Sequence, residues 1–303
     1  MNNELIYELL LNKYFQSIKG QLKISTIYDK ERIFEKHISP FFKLKNINTL
    51  SKQDFLSWLN SKNRYSPNYK KKLRASLNHF LNFCEIFYDI PNKLKLLPTT
   101  KNYCTKKNMQ FFDYTNWKKF QEVISTNILW DTFFNFLYYT GLRVGEANAL
   151  SDKDIDMRQH VVKVTKNITR KVNFKKYIVT TPKNNSSVRD IKLPKTLLDK
   201  LRDFYLYKKQ FKISSKFLFG GLNPLSEKKY TYNFKKYCKL ANLPQIRIHD
   251  LRHSHASLLI NKGANVLLVA QRLGHSNPSI TLNIYSKLFK SSEKEIIQKL
   301  NKL

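Results

Sequence analysis

The spacing of apolar residues along the chain predicts a mainly helical protein. Between Asn265 and Gly274 the apolar residues recur at i, i+3, i+4 and i+7, which places them on one face of a helix. Similar stripes predict four helices within residues 3–88, enough for a small bundle, and further helices at 194–211 and 226–240. The second of the four is expected to end near Pro40, and the third and fourth to begin at the caps Ser51 and Ser66. Asp113, Asn265 and Asn277 are expected to cap later helices.

Alternation of apolar and polar positions predicts a small antiparallel sheet in the second half of the chain. It occurs in residues 161–165, 177–181 and 188–193. The last two segments flank a turn, so we predict that they form a hairpin and that the first segment completes a three-stranded sheet. The expected fold class is therefore α+β, mainly α with a small antiparallel β-sheet.

A basic segment that is punctuated by proline and lacks helical periodicity divides the chain. We interpret residues 91–110 as a linker between a helical domain at 1–90 and a second domain at 111–303. Ser292 and Glu295 have the spacing of a capping box, which predicts a tail helix within residues 291–303.

Five polar side chains lie at the boundaries of predicted helices. His249 and Arg252 are three residues apart at a helix start and so share a face. His275 follows the next helix, Tyr285 ends the one after it, and Arg143 begins a helix far upstream. Two imidazoles, two guanidinium groups and a phenol suit attack on a phosphodiester, because the cations stabilise the phosphate oxygens while the tyrosine oxygen displaces a sugar oxygen.

In order and local context these residues resemble the tyrosine recombinase family, also called the phage integrase family. The motifs are TGLRVGE, HDLRHSHAS, RLGH and TLNIYSKL, and they cover the chain from Arg143 to its end. Residues 1–98 resemble the family's core-binding domain more loosely. The resemblance implies a SAM-like helical domain and a catalytic domain that together form a C-shaped clamp on duplex DNA, and it is greatest to integrases of phages and conjugative transposons.

The resemblance also implies a mechanism. The tyrosine attacks the scissile phosphate and forms a 3′-phosphotyrosyl link with a free 5′-hydroxyl, so that neither ATP nor a metal cofactor is needed. By this resemblance Tyr285 is the nucleophile, Arg143 and Arg252 clamp the phosphate, and His249 and His275 donate hydrogen bonds and handle protons.

Two further site residues are expected. The family places a lysine in a β-hairpin turn as general acid, and Lys183 fits that turn. Other lysines near the turn are alternatives: Lys171, Lys175, Lys176 and Lys192. Glu146, one turn after Arg143, is interpreted as a carboxylate that orients an arginine or a histidine.

The charge of the chain indicates a polyanionic partner. Lysine and arginine number 55 against 22 acidic residues, which gives a formal net charge of +33. A basic stretch on the fourth predicted helix is a candidate for DNA contact, and a merely solvated face is the alternative. Its residues are Lys70, Lys71, Lys72 and Arg74.

Other features exclude several classes of protein. The three cysteines are scattered without a CxxC motif, which argues against a disulfide framework and for a cytoplasmic location. No signal peptide or apolar run of membrane-spanning length is present. His249, His253 and His255 lack accompanying cysteines or carboxylates, so no metal site is expected, and the last two are interpreted as packing or surface residues.

The sequence thus predicts a site-specific recombinase that integrates or excises a mobile element. Its partners would be DNA attachment sites, a homotetramer in the synaptic complex, and accessory DNA-bending or directionality factors. The tail helix would either dock on a neighbouring protomer or cover its own core. We expect the core-binding domain to begin almost at residue 1, which would leave no room for an arm-binding domain, so a Xer-like dimer resolvase or other simple-site recombinase is the main alternative. A type IB topoisomerase-like enzyme and a catalytically silent DNA-binding relative are weaker alternatives.

Overall fold

The structure is a computed structural model that describes residues 2–98, 110–169, 177–182, 185–285, 297, 300 and 301. The chain folds as two compact units: the first contains residues 2–98, and the second contains the described residues from 110 onward. Most of the predicted linker, residues 99–109, and most of the predicted tail helix lie outside the described residues. No helix in the described ranges is both long enough and apolar enough to cross a membrane.

The first unit is a bundle of helices around an aromatic core. Its α-helices are α1 (Asn3–Ile18), α2 (Ile24–Ile33), α3 (Ser39–Phe42), α4 (Lys52–Asn60) and α5 (Pro67–Tyr88). Ser51 and Ser66 cap α4 and α5, as predicted. Trp58, Tyr14 and Phe80 are among the fully buried side chains that hold the bundle together.

The second predicted helix is longer than the sequence indicated. It was expected to end near Pro40, but α2 continues through a π turn at Phe34–Ile38 into α3. The amide of Ser39 bonds to the carbonyl of Phe34, five residues earlier. Pro40 then falls in the first turn of α3, where its missing N–H costs little.

The second unit contains eight α-helices among its described residues: α6 (Tyr114–Ile124), α7 (Ile128–Thr140), α8 (Val144–Ala149), α9 (Lys195–Gln210), α10 (Glu227–Leu240), α11 (Asp250–Asn261), α12 (Val266–Leu273) and α13 (Pro278–Tyr285). Its strands are β1 (Ile155–Asp156), β2 (Val161–Val164), β3 (Asn167–Thr169), β4 (Ile178–Thr180) and β5 (Arg189–Lys192). The predicted caps at Asp113, Asn265 and Asn277 are present.

The predicted hairpin is wrong, although both of its strands exist. β5 pairs antiparallel with β2 in a three-stranded sheet ordered β1-β2-β5, and β4 pairs antiparallel with β3 in a separate two-stranded sheet. In the observed register Ile191 of β5 lies opposite Val162 of β2, and both are buried in the core. β4 is half-exposed, so it does not contribute a comparable buried side chain to the three-stranded sheet. The chain between β4 and β5 therefore links two sheets.

A dense aromatic core sets the position of α7. The rings of Trp117 and Tyr138 stack with centroids 3.8 Å apart, and most of α7 is buried. α7 ends at Gly141, whose φ of +66° lies in the left-handed region. A Cβ on Gly141 would lie 2.5 Å from Cδ2 of His255, so this glycine allows α7 and α11 to approach closely.

Candidate active site

The end of α7 and the start of α11 bring the two predicted arginines into one region. Nη1 of Arg252 donates a hydrogen bond of 2.9 Å to the carbonyl oxygen of Gly141, two residues before Arg143. Arg252 is only 4% exposed, whereas the side chain of Arg143 is 37% exposed. The two cations therefore share a region, one inside it and one at its surface.

Arg143 is held by groups from three segments. Its Nη1 donates to Oε1 of Glu146 at 2.7 Å and to the hydroxyl of Ser187 at 3.4 Å, and its Nη2 donates to the carbonyl oxygen of Gly274 at 3.4 Å. Oε2 of Glu146 accepts the backbone N–H of Arg143 at 3.0 Å. Glu146 is 2% exposed and orients the arginine that precedes it by one turn.

The two predicted histidines lie at helix ends beside these arginines. His249 occupies the N-cap position of α11 and is solvent-exposed. His275 directly follows Gly274, which ends α12. Nδ1 of His275 is hydrogen-bonded to the hydroxyl of Thr281 at 2.7 Å, and Thr281 lies on α13, the helix that ends at Tyr285. His275 thus connects the arginine region to the helix that carries the predicted nucleophile.

Both histidines are neutral at neutral pH. Burial, followed by the positive charges of Arg252 and Arg143, lowers the pKa of His275 to about 4. Loss of hydration around the His249 ring, followed by the charge of Arg252, lowers the pKa of His249 to about 4 as well, although His249 is more exposed to solvent than His275. In both cases nearby arginines add to the effect of burial, and this excess of positive charge is the electrostatic condition for binding an anion.

Acid is expected to destabilise the DNA-free protein between about pH 7 and pH 4. Unfolded histidine has a pKa of about 6.5, so in this window the unfolded chain binds a proton that His275 in the folded protein does not, and stability falls as pH falls. Burial, then the charge of Arg272, lowers the pKa of His255 to about 3, which acts in the same direction. Tm measured across this range at constant ionic strength should decrease with pH, and less steeply in His275→Asn. A Tm independent of pH would contradict the expectation.

Two arginines that the sequence analysis did not single out complete the network. The side chain of Arg189 is 7% exposed and donates to Glu146, to the carbonyl oxygen of Ser187 and to that of Arg272. Arg272 donates from Nε to Nε2 of His255 at 3.1 Å. A signal for both was present in the composition: arginine supplies only 11 of the 55 basic residues, so each arginine in a lysine-rich chain is a candidate for directed hydrogen bonding.

The structure places the remaining candidates as follows. Lys183 lies outside the described residues, as do its alternatives Lys171, Lys175 and Lys176. Lys192, the other alternative, ends β5 and donates to the carbonyl oxygen of Gln159. His253 and His255 are half-buried and buried. In the part of the chain that is described, no three histidine, cysteine or acidic side chains are grouped so as to hold a metal ion.

The basic residues proposed for DNA contact on α5 have different surroundings. Lys71 is exposed, and Lys70 donates to Asn63 at 3.3 Å. Lys72 is paired with Asp29 at 3.0 Å. The guanidinium of Arg74 donates to three carbonyl oxygens in the segment that follows α5, those of Leu94, Leu97 and Pro98. Arg74 therefore fastens that segment to the bundle.

Solved structures share this fold. The Tn1549 transposon integrase, in complex with transposon right end DNA, superimposes with a TM-score of 0.79 over 96% of this chain and 99% of its own, at 21% identity. A lambda integrase dimer bound to a core site superimposes with a TM-score of 0.69 over 91% and 94% of the two chains, at 14% identity. The predicted fold class, mainly helical with small antiparallel sheets, is confirmed.

Sequence comparison reaches the same family. The ICEBs1 integrase of Bacillus subtilis (strain 168) is 28% identical over 98% of this chain and 83% of its own length, and the integrase of Staphylococcus phage L54a is 25% identical over 99% and 93%. The model of the phage integrase N-terminal SAM-like domain matches residues 7–63, and that of the phage integrase family matches residues 110–292. The predicted resemblance is confirmed, and the chain belongs to the phage integrase family, whose members cleave and rejoin DNA.

Proposed function

We propose that this protein is a site-specific tyrosine recombinase that integrates and excises a mobile element. One observation carries the proposal: guanidinium groups from two distant segments, Arg143 and Arg252, meet beside the loop of His275, which is hydrogen-bonded to the helix that ends at Tyr285. The similar proteins of the ICEBs1 element and of phage L54a are both integrases, which supports a mobile element as the source of the substrate.

The proposed reaction is a transfer of one phosphodiester bond. The phenol oxygen of Tyr285 attacks phosphorus and loses its proton, the bond from phosphorus to the 5′-oxygen breaks, and that oxygen takes its electron pair and a proton. Arg143 and Arg252 stabilise the charge on the non-bridging oxygens. His249 and His275, neutral at neutral pH, donate hydrogen bonds and transfer protons, and Lys183 protonates the leaving oxygen. One phosphorus–oxygen bond replaces another, so the chemistry requires no nucleotide or metal cofactor.

Covalent trapping tests this function. The probe is a tiled set of duplexes covering the DNA on both sides of the gene, each with a nick one nucleotide further along. Where the nick lies next to the cleavage position, the short 5′-hydroxyl fragment dissociates and rejoining fails, so a covalent protein–DNA complex should accumulate. Peptide mass spectrometry should locate the nucleotide on Tyr285. A tiled set that binds the protein but never traps it would exclude the recombinase function and favour a catalytically silent DNA-binding relative.

We also propose that the protein acts in the cytoplasm on double-stranded attachment sites as a homotetramer, with accessory DNA-bending or directionality factors. Two recombining duplexes contain four strands, each of which is cut once, and four protomers supply one nucleophile for each strand. The lambda integrase tetramer bound to a Holliday junction, a fold relative of this chain at 14% identity, supports such an assembly. The basic charge of the whole chain supports contact of both units with duplex DNA.

In the first unit, a cluster of unneutralised cations is the best-supported surface for DNA. Lys36, Lys62 and Arg64 surround His37, whose pKa is lowered first by burial and then by these three charges. Among the described residues, none of the three forms an ion pair with a carboxylate, whereas several other lysines of this unit do. The guanidinium of Arg64 lies 5.0 Å from the centroid of the Tyr65 ring, a rigid support for a phosphate contact.

Removing two of these cations should weaken DNA binding in a salt-dependent manner. We expect Lys62→Ala/Arg64→Ala to lower the affinity of the full chain and to reduce the slope of log K against log salt by about 2, since each lost phosphate contact removes ~0.9. Lys43→Ala/Lys95→Ala is the matched control, because those lysines are paired with Glu4 and Glu85. Equal slopes for the two double variants, measured by fluorescence anisotropy, would contradict the assignment.

A further inference from the structure

We propose that Arg189 is a positioning residue of the phosphate site: its buried guanidinium holds Arg143 and the loop of His275 in register without touching DNA. The inference rests on the proposed function, since it concerns the same reaction. It adds a residue that none of the family motifs in the sequence contains.

Three segments meet on this one side chain. Arg189 lies at the start of β5, and its Nη1 donates to the carbonyl oxygen of Ser187 at 2.8 Å. Its Nε donates to the carbonyl oxygen of Arg272 on α12 at 2.7 Å, and its Nη2 donates to Oε2 of Glu146 on α8 at 3.2 Å. Each nitrogen of the guanidinium is thus bonded to a different segment. Because the side chain is only 7% exposed, little of its surface could contact DNA.

Each of these segments also carries a contact to Arg143. Glu146 and Ser187 bond to Nη1 of Arg143 directly. The third segment runs from Arg272 to Gly274, whose carbonyl oxygen accepts from Nη2 of Arg143, and the next residue is His275. Arg189 therefore lies behind Arg143 and fixes the groups that orient it. A planar fork of donors can do this, and the single ammonium of a lysine cannot.

Close packing leaves the loop before His275 little freedom. A Cβ on Gly274 would lie 2.9 Å from Nη1 and 3.1 Å from Cζ of Arg189. The backbone of Gly274 thus rests directly on the guanidinium, with a φ of +69° that favours glycine. Movement of Arg189 would be transmitted to His275 through one residue.

Arg189 also sets the charge that Arg143 can offer to a phosphate. Glu146 is buried and lies between the two arginines, so the trio carries a net charge of +1. Without Arg189, Arg143 and Glu146 would form a neutral pair, and the carboxylate would oppose an incoming phosphate. Arg189 therefore contributes to charge as well as to geometry, and the two contributions can be separated by mutation.

The experiment compares single-turnover cleavage by four variants on the duplex selected by covalent trapping. These are Arg189→Lys, Arg189→Met, Arg189→Met/Glu146→Gln and the surface control Arg202→Lys, which alters an exposed pair on α9. We expect Arg189→Lys to slow cleavage ~10- to 100-fold with unchanged DNA affinity, as is typical for loss of a group that orients a functional side chain. Arg189→Met should be slower still, and the double variant should recover part of that loss because the uncompensated carboxylate is gone.

A second substrate distinguishes positioning from general damage to the fold. With a methylphosphonate at the scissile position the transition state carries one less negative charge, so the arginine clamp has less to stabilise. The ratio of wild-type to Arg189→Lys rates should therefore shrink on this substrate, whereas a merely structural defect would leave the ratio unchanged. Arg189→Lys and the double variant keep the test valid where Arg189→Met fails to fold.

Two results distinguish a failure of the proposed function from a failure of the proposed role of Arg189. Wild-type protein that never forms the covalent complex would refute the proposed recombinase function. Active wild-type protein with Arg189→Lys cleaving at the wild-type rate, or with an equal defect on both linkages, would refute the role of Arg189 alone.

Discussion

Replacing Tyr285 with phenylalanine is expected to abolish the covalent protein–DNA complex and leave DNA binding intact. The change removes one oxygen atom, the one proposed to bond to phosphorus, and keeps the aromatic ring. Tyr285 is the last residue of α13, one turn beyond the Thr281 hydroxyl that bonds to His275. Because the proposed ester bond is made through this oxygen, the expected loss is complete rather than partial.

The measurement is denaturing electrophoresis of labelled nicked duplex after incubation with protein, alongside a gel shift for affinity. Tyr232→Phe is the matched control, since it removes the same atom from an exposed tyrosine of α10 in the same unit. It should trap DNA like wild type. A covalent complex formed by Tyr285→Phe at any substantial level would assign the nucleophile to another residue and overturn the mechanism.

Helix boundaries could be predicted because the groups that fix them are close in sequence. Asp113 accepts the backbone N–H of Asn116, and Asn265 and Asn277 each accept an N–H two residues later. A cap of this kind can be read from three or four letters. The motif residues at the site were found for a similar reason, since each has a recognisable local context.

Strand partners could not be predicted in this way. The alternation in residues 177–181 and 188–193 correctly indicated strands, but adjacency in sequence suggested the wrong pairing. The choice depends on the core: Ile191 gains a buried position opposite Val162 only when β5 joins β2. A pattern of period two specifies which face of a strand is buried, and it does not specify the neighbour.

The role of Arg189 was hidden because its acceptors are distant. The carboxylate of Glu146 is 43 residues away and the carbonyl of Arg272 is 83 residues away. Both bonds depend on the folded arrangement of α8, β5 and α12. The sequence could suggest which groups would act on a phosphate, because that depends on the chemistry of the side chains. It could not suggest the group proposed to fix their relative positions, because that depends on tertiary structure.

Arg143→Lys and Arg252→Lys are each expected to reduce the rate of cleavage by about 10² to 10³. Lysine keeps the positive charge but loses the paired, coplanar N–H groups that match two oxygens of a phosphate. The effects on stability should differ. Arg252 is 4% exposed and bonds to the Gly141 carbonyl, so its replacement leaves a buried acceptor unsatisfied and costs about 1–3 kcal/mol. Glu146 retains Arg189 when Arg143 is replaced, so Tm should change little in that variant.

Single-turnover rates on the trapping duplex, with Tm and DNA affinity measured in parallel, check both parts of this expectation. Arg202→Lys again controls for the substitution itself. Because both guanidinium groups act on one phosphate, the rate of the double variant should fall by less than the product of the two single effects. Independent, fully multiplicative losses would mean that the two arginines act at different steps, and a wild-type rate for either single variant would remove that residue from the clamp.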